Sequence, residues 1–135
     1  MNPEPPAQSY LLDTHAAIWA LDRPEALSVA ARTAASTGPN VLSVVSYWEV
    51  MIKSMKGTLD VGDPRAWWFD ALEQLAATPL FLRPEHIAAV HRLAPIHKDP
   101  FDRALIAQAI VEGLALVTTD GEIARYASKG LRVVG

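Results

Sequence analysis

Short apolar runs alternate with longer amphipathic stretches along the chain, and that alternation predicts a series of strands and helices. Residues 9–12 read as a short strand running into Asp13, and residues 14–21 as a helix that ends before Arg23-Pro24. An alanine-rich helix is expected over 27–36, stopped by Gly38-Pro39. The run 41–45 predicts a buried strand, followed by a helix over 46–56 with Gly57 as its stop. Asp63-Pro64 has the form of an N-cap followed by proline at the first helical position, and Trp68, Leu72 and Leu75 then fall on one helical stripe. A short strand at 80–82 and a helix at 84–93 come next. Asp99-Pro100 repeats the cap and opens a helix over 101–112, closed by Gly113. Residues 114–118, 120–127 and 131–134 predict strand, short helix and strand.

Strands that alternate with helices predict an α/β fold with a central parallel sheet covered on both faces. Ligands of such sheets sit beyond the carboxyl ends of the strands. With 135 residues, no internal repeat and no boundary, residues 9–135 are expected to form one domain behind a disordered, Pro-rich lead-in at 1–8. Half of the residues are hydrophobic and 20% are charged, which excludes disorder and coiled coil. No apolar run approaches the ~18 residues of a membrane span. The N-terminal stretch has neither a basic nor an apolar signal region, so a cytoplasmic protein is expected. The absence of cysteine removes disulfides, thiolate zinc sites and cysteine nucleophiles. The formal charge of −3 argues against nucleic acid only until the acids are placed: with four in a metal site, 11 acids face 12 Lys and Arg.

The acids fall at one kind of position. Asp13 closes the first strand, and Glu49 is expected in the first turn of the helix after the second. Asp99 and Asp102 open the helix at 101–112, and Asp120 closes the penultimate strand. Each has a structural account. Ser46-x-x-Glu49 matches a capping box, Asp99-Pro-x-Asp102 an acidic cap, and Asp13 and Asp120 can cap the helices after them. Jointly, however, they all lie where a parallel sheet brings distant segments together. Carboxylates that close repel strongly, and a hard divalent cation relieves the repulsion. A Mg²⁺ or Mn²⁺ site acting on a phosphodiester follows.

LLDTH around Asp13, SYWEVMIK around Glu49, HKDPFDRALIAQA and LVTTD resemble the motifs of PIN-domain ribonucleases, and most closely the VapC toxins of bacterial type II toxin–antitoxin pairs. The resemblance spans residues 9–135, and HKDPFDRALIAQA is its most specific part. It implies a PIN-like α/β/α sandwich and a Mg²⁺-dependent (or Mn²⁺-dependent) endoribonuclease. Asp13, Glu49, Asp102 and Asp120 would be its catalytic and metal-binding acids, with Asp99 a fifth candidate ligand or a helix cap. It also implies an RNA substrate, an inhibitory VapB-like antitoxin and a homodimer. Thr119 stands where family members often carry Asn, and Thr119 and Ser46 are candidate auxiliary polar groups.

Lys53, Lys56, Lys98 and Arg103 flank the acidic motifs and are candidate phosphate contacts, with solvated faces as the alternative. His15 and His97 also flank them, as RNA contacts or as ordinary core-edge histidines. His86 and His91, five apart, do not share a helical face as zinc ligands require. The adjacent Trp67 and Trp68 are expected to point to different faces, one lining a groove for a partner helix. A non-catalytic RNA- or protein-binding module and a metal-dependent DNA nuclease or phosphatase are the competing functions.

Overall fold

A computed structural model describes residues 8–127 and 130–135, so the expected lead-in falls, except for Gln8, outside the described residues. Five strands, β1 (Tyr10–Leu12), β2 (Asn40–Ser43), β3 (Ala77–Leu80), β4 (Ala115–Val117) and β5 (Arg132–Val134), form one sheet in the order β3-β2-β1-β4-β5. Every pairing in it is parallel. The helices are α1 (Thr14–Asp22), α2 (Val29–Thr37), α3 (Val44–Met55), α4 (Pro64–Gln74), α5 (Pro84–Val90), α6 (Pro100–Glu112) and α7 (Gly121–Ala124), with a 3-10 turn at Pro24–Ala26.

Period-two alternation sends neighbouring strand residues into two different cores. Leu12, Leu42 and Val117 pack with Ala16, Ala17, Ala31 and Ala71 from α1, α2 and α4. Leu11 and Leu116 pack on the other face with Leu105, Ile106 and Ala109 of α6, and with Ile123 and Tyr126. Both faces of the sheet are therefore buried, and the α/β/α sandwich expected from the alternation is the fold observed. The chain builds outward from β1 through β2 to β3 and then returns to place β4 on the other side of β1. The order reverses between β1 and β4, the switch point where parallel sheets open a crevice.

Several expectations need correction. The strand expected at 41–45 ends at Ser43, whose hydroxyl accepts the Val45 N–H at 3.0 Å and starts α3 at Val44. A side-chain cap thus overrides the strand preference of two valines. Ser46 is consequently not an N-cap, the capping box with Glu49 does not form, and Glu49 lies in the second turn of α3 rather than the first. The strand expected at 80–82 is Ala77–Leu80, paired in register with β2. As an edge strand it accommodates Pro79, which has no N–H to give an outer neighbour.

Trp67 and Trp68 are both buried, at 7% and 6% exposure, in the same core. Trp68 stacks on Tyr47 of α3 with centroids 5.1 Å apart, and Leu21 and Val61 pack against the core cluster that holds both rings. Both rings therefore enter one core, against the expected split between two faces, and Trp67 also lines a surface pocket with Leu21, Val61 and Asp70. The exposed aromatics nearby are Trp48 and Phe69.

Candidate active site

The site grows from the carboxyl ends of β1 and β4. The Asp13 N–H donates to the Val117 carbonyl at 2.9 Å, which ties the two strand ends across the switch point. The Asp13 carboxylate then caps α1 by accepting the Ala16 N–H at 2.7 Å, and its second oxygen accepts the Thr118 hydroxyl. Thr14, next in the chain, donates its hydroxyl to Glu49 Oε1 at 2.6 Å, with Ser46 Oγ 3.0 Å away. Glu49 is 1% exposed, and its Oε2 accepts from Lys53 Nζ at 2.6 Å, one turn along α3. A buried carboxylate is costly unless it is paired and hydrogen-bonded, and Thr14 with Lys53 does both.

The second half comes from the start of α6 and the loop after β4. Asp99 is the N-cap of α6 and accepts the Asp102 N–H at 3.0 Å. Pro100 occupies the first helical position, where its missing N–H costs nothing. Asp120 caps α7 by accepting the Glu122 N–H at 2.8 Å. Between them, His97 Nε2 lies 2.9 Å from Asp102 Oδ2 and 3.1 Å from Asp120 Oδ2. Ligand atoms of His97, Asp102 and Asp120 all lie within 4.8 Å of one another. Asp13, Asp99 and Asp120 thus each cap a helix, and Asp99 and Asp13 also act by charge on Asp102, which lies beside Asp120.

The electrostatics follow from this crowding. Burial, and then the negative charges of Asp99 and Glu49, push the Asp102 carboxyl up to about 7, against the opposing pull of His97. Burial also raises Asp13 above the ordinary carboxylate range, despite its bonds from Thr118 and Ala16. Burial works to lower Lys53, but its bond to Glu49 and the charges of Asp99 and Asp102 outweigh that and hold it above the usual lysine value. Hard oxygen donors under mutual repulsion are the donor set that Mg²⁺ and Mn²⁺ take. Asp102 and Asp120, whose oxygens lie close together on His97, offer such donors, and Glu49, Asp13 and Asp99 are near enough for their charges to act on Asp102.

The flanking residues divide. Lys53 points into the acids, whereas Lys56, Lys98 and His15 are exposed. Arg103 donates to the carbonyls of Val90, Ala94 and His97 and meets the Tyr126 hydroxyl, so its guanidinium braces the loop before α6. Thr119 is exposed, and it is Thr118 whose hydroxyl reaches Asp13. Thr14 and Thr118 escaped the sequence reading. Their signal was a hydroxyl residue at the carboxyl end of a strand, one position after Asp13 and two before Asp120.

Residues 10–129 match the model of the PIN domain. The chain belongs to the PIN-domain family. This PIN domain is 29% identical over 111 residues, 82% of its own length and 85% of the relative's, to Ribonuclease VapC22 of Mycobacterium tuberculosis. Among solved structures its fold is similar to VapBC-1 from nontypeable Haemophilus influenzae (TM-score 0.67, 15% identity, 93% of this chain and 96% of that one). It is also similar to VapBC2 from Rickettsia felis, bound there to a DNA fragment from its promoter (TM-score 0.65, 14% identity, 95% and 100% covered). A third likeness is to FitAcB from Neisseria gonorrhoeae (TM-score 0.57, 19% identity, 93% and 96% covered). Among the described residues of the PIN domain, no helix is long and apolar enough to cross a membrane.

Proposed function

We propose that this PIN domain is a Mg²⁺- or Mn²⁺-dependent endoribonuclease and the toxin of a type II toxin–antitoxin pair. In this reading it acts in the cytoplasm as a homodimer and is restrained by a VapB-like antitoxin. The observation that carries the reading is Asp102 on α6, which lies beside Asp120 and is acted on by the charges of Glu49 and Asp13 from two other segments. The ribonuclease name of a relative covering 82% of the chain supports the choice of RNA. The VapBC complexes among the structural neighbours support an antitoxin partner.

A bound divalent ion would polarise a phosphate oxygen and lower the pKa of an attacking water. The chain's own residues prepare the place. Asp13 and Glu49 are held in fixed orientations by Thr118, Thr14 and Lys53, so no further ordering cost attaches to their use. Lys53 adds a cation beside Glu49 that can meet a phosphate oxygen.

Expression in a bacterial host tests the reading. The wild type should arrest growth and cut RNA with Mg²⁺ or Mn²⁺, and Asp102→Asn should lose both by orders of magnitude while keeping its circular dichroism. Equal toxicity of the two forms would defeat the nuclease mechanism. If neither is toxic and neither cuts RNA with Mn²⁺ present, the domain is a non-catalytic binding module.

A further inference from the structure

The geometry points to His97 as a positioning residue whose Nε2 lies between Asp102 on α6 and Asp120 ahead of α7 and tethers the two. Its role toward a cation rests on the metal reading above. The ring's orientation comes first. His97 Nδ1 accepts the Asp99 N–H at 3.3 Å, which leaves Nε2 as the nitrogen that carries hydrogen. Nε2 hydrogen-bonds Asp120 Oδ2 at 3.1 Å and lies in ion-pair range of Asp102 Oδ2 at 2.9 Å, two carboxylates that would otherwise repel each other.

The loop that carries His97 is built to hold it there. Between α5 and α6 the chain leaves regular structure, and its polar groups converge on two side chains. Tyr126 is fully buried; its hydroxyl donates to the Ala94 carbonyl at 2.6 Å and accepts the Ile96 and His97 N–H groups at 3.2 and 2.9 Å. Arg103 Nη1 donates to the Ala94 and His97 carbonyls, each at 3.1 Å. His97 is therefore pinned through both its N–H and its C=O, with its ring locked by Asp99. An outer residue fixed this firmly sets the position of the groups it touches. Donor atoms around one ion with bonds of ~2.1 Å lie ~3 Å apart when adjacent and ~4.2 Å when opposite. Asp102 and Asp120, held within 4.8 Å, are close to that range before any ion arrives.

Two measurements test the tether. The first uses metal-free protein in chelator: the melting temperatures of His97→Ala, Asp102→Ala and the double variant. A tether makes the two single effects fail to add, and additive effects overturn it. The second is Mn²⁺ binding followed by electron paramagnetic resonance, with Mg²⁺ read by competition. His97→Ala should weaken both ions alike, by about 10–100-fold. His97→Gln, which keeps an N–H donor, should recover most of that loss. Loss of Mn²⁺ binding well beyond that of Mg²⁺, in the Gln variant too, would make His97 a nitrogen ligand and overturn the proposal. Tighter binding by His97→Ala would make it a competitor of the ion and overturn it as well. Should the wild type bind no Mn²⁺ while the metal-free effects still fail to add, the tether stands and the metal reading falls.

Discussion

At the C-terminal half of α6, Glu112 accepts from Arg83 Nη2 at 2.6 Å and meets His86 Nε2 at 2.9 Å. In the same half, Gln108 accepts the Ser43 hydroxyl at 2.6 Å. At the N-terminal end of the same helix, Asp99 and Asp102 meet Asp13, Glu49 and Asp120 with Lys53 and His97 as their side-chain counterparts. Both clusters are polar, partly buried and assembled from distant segments. In the first, each carboxylate has a basic partner, Glu112 with Arg83 and His86 and the exposed Glu85 with Arg83, as a structural network requires. The second holds more carboxylates than the protein neutralises, and Asp102 answers by titrating near 7. What separates them is excess charge. One cluster is paired within the protein, and the other, in the proposed reading, is completed by a cation.

Substitutions at the two ends should therefore have opposite signatures. Asp13→Asn should reduce RNA cleavage about 100-fold or more while leaving metal-free stability equal or higher, since it removes one of the repelling charges. Glu112→Ala should leave cleavage within a few-fold but cost about 1–3 kcal/mol in urea unfolding, because His86 and Arg83 lose their acceptor. Activity and stability losses that fall together in both variants would erase the distinction.

The metal should separate the clusters again. At 100 times its dissociation constant, Mg²⁺ or Mn²⁺ should stabilise the wild type by about 2.7 kcal/mol, and Glu112→Ala by the same amount. Asp13→Asn should gain much less. Calorimetry across a Mg²⁺ series reads all three.

Acid titration sharpens the contrast. The folded Asp102 carboxyl, raised from 3.8 to about 7, holds a proton that the unfolded chain has released between those values. Stability of the metal-free protein should therefore fall as pH rises from about 4 to 7 and level off above. Asp13, raised in the same direction, adds to the slope. Asp102→Asn should flatten the curve, and so should saturating Mg²⁺, which favours the ionised form. A wild-type curve that rises over this window would contradict the excess-charge account.

The smallest effect concerns two neighbouring threonines. Thr118→Val should cost about 1 kcal/mol, because its hydroxyl reaches Asp13 in the interior. Thr119→Val, at an exposed position, should stay within about 0.5 kcal/mol.

Much of this molecule was legible in its sequence. Apolar runs bounded by Asp, Gly and Pro implied the alternation of strands and helices. Asp63-Pro64 and Asp99-Pro100 start α4 and α6, and Gly113 ends α6 in the left-handed conformation. These are local signals, settled by a residue and its near neighbours. The acids at strand ends were legible for the same reason, since the carboxyl edge of a parallel sheet is set by chain direction alone.

The remaining features depend on partners that local signals cannot name. Thr118 meets Asp13 across 105 residues, and Ser43 meets Gln108 across 65. Both pairings require the order β3-β2-β1-β4-β5, which an alternating pattern does not specify. The burial of both Trp67 and Trp68 likewise awaited the packing of α4 against distant segments, with Tyr47 of α3 stacked on Trp68. Arg103 and His97 belong to the same class: which carbonyl or carboxylate each one meets is decided only when Tyr126 gathers the loop before α6. Sequence determined where the carboxylates lie along the chain, because caps and strand ends are local. Tertiary structure decided what each one touches, because hydrogen bonds between side chains reach only about 3 Å and the partners come from opposite ends of the chain.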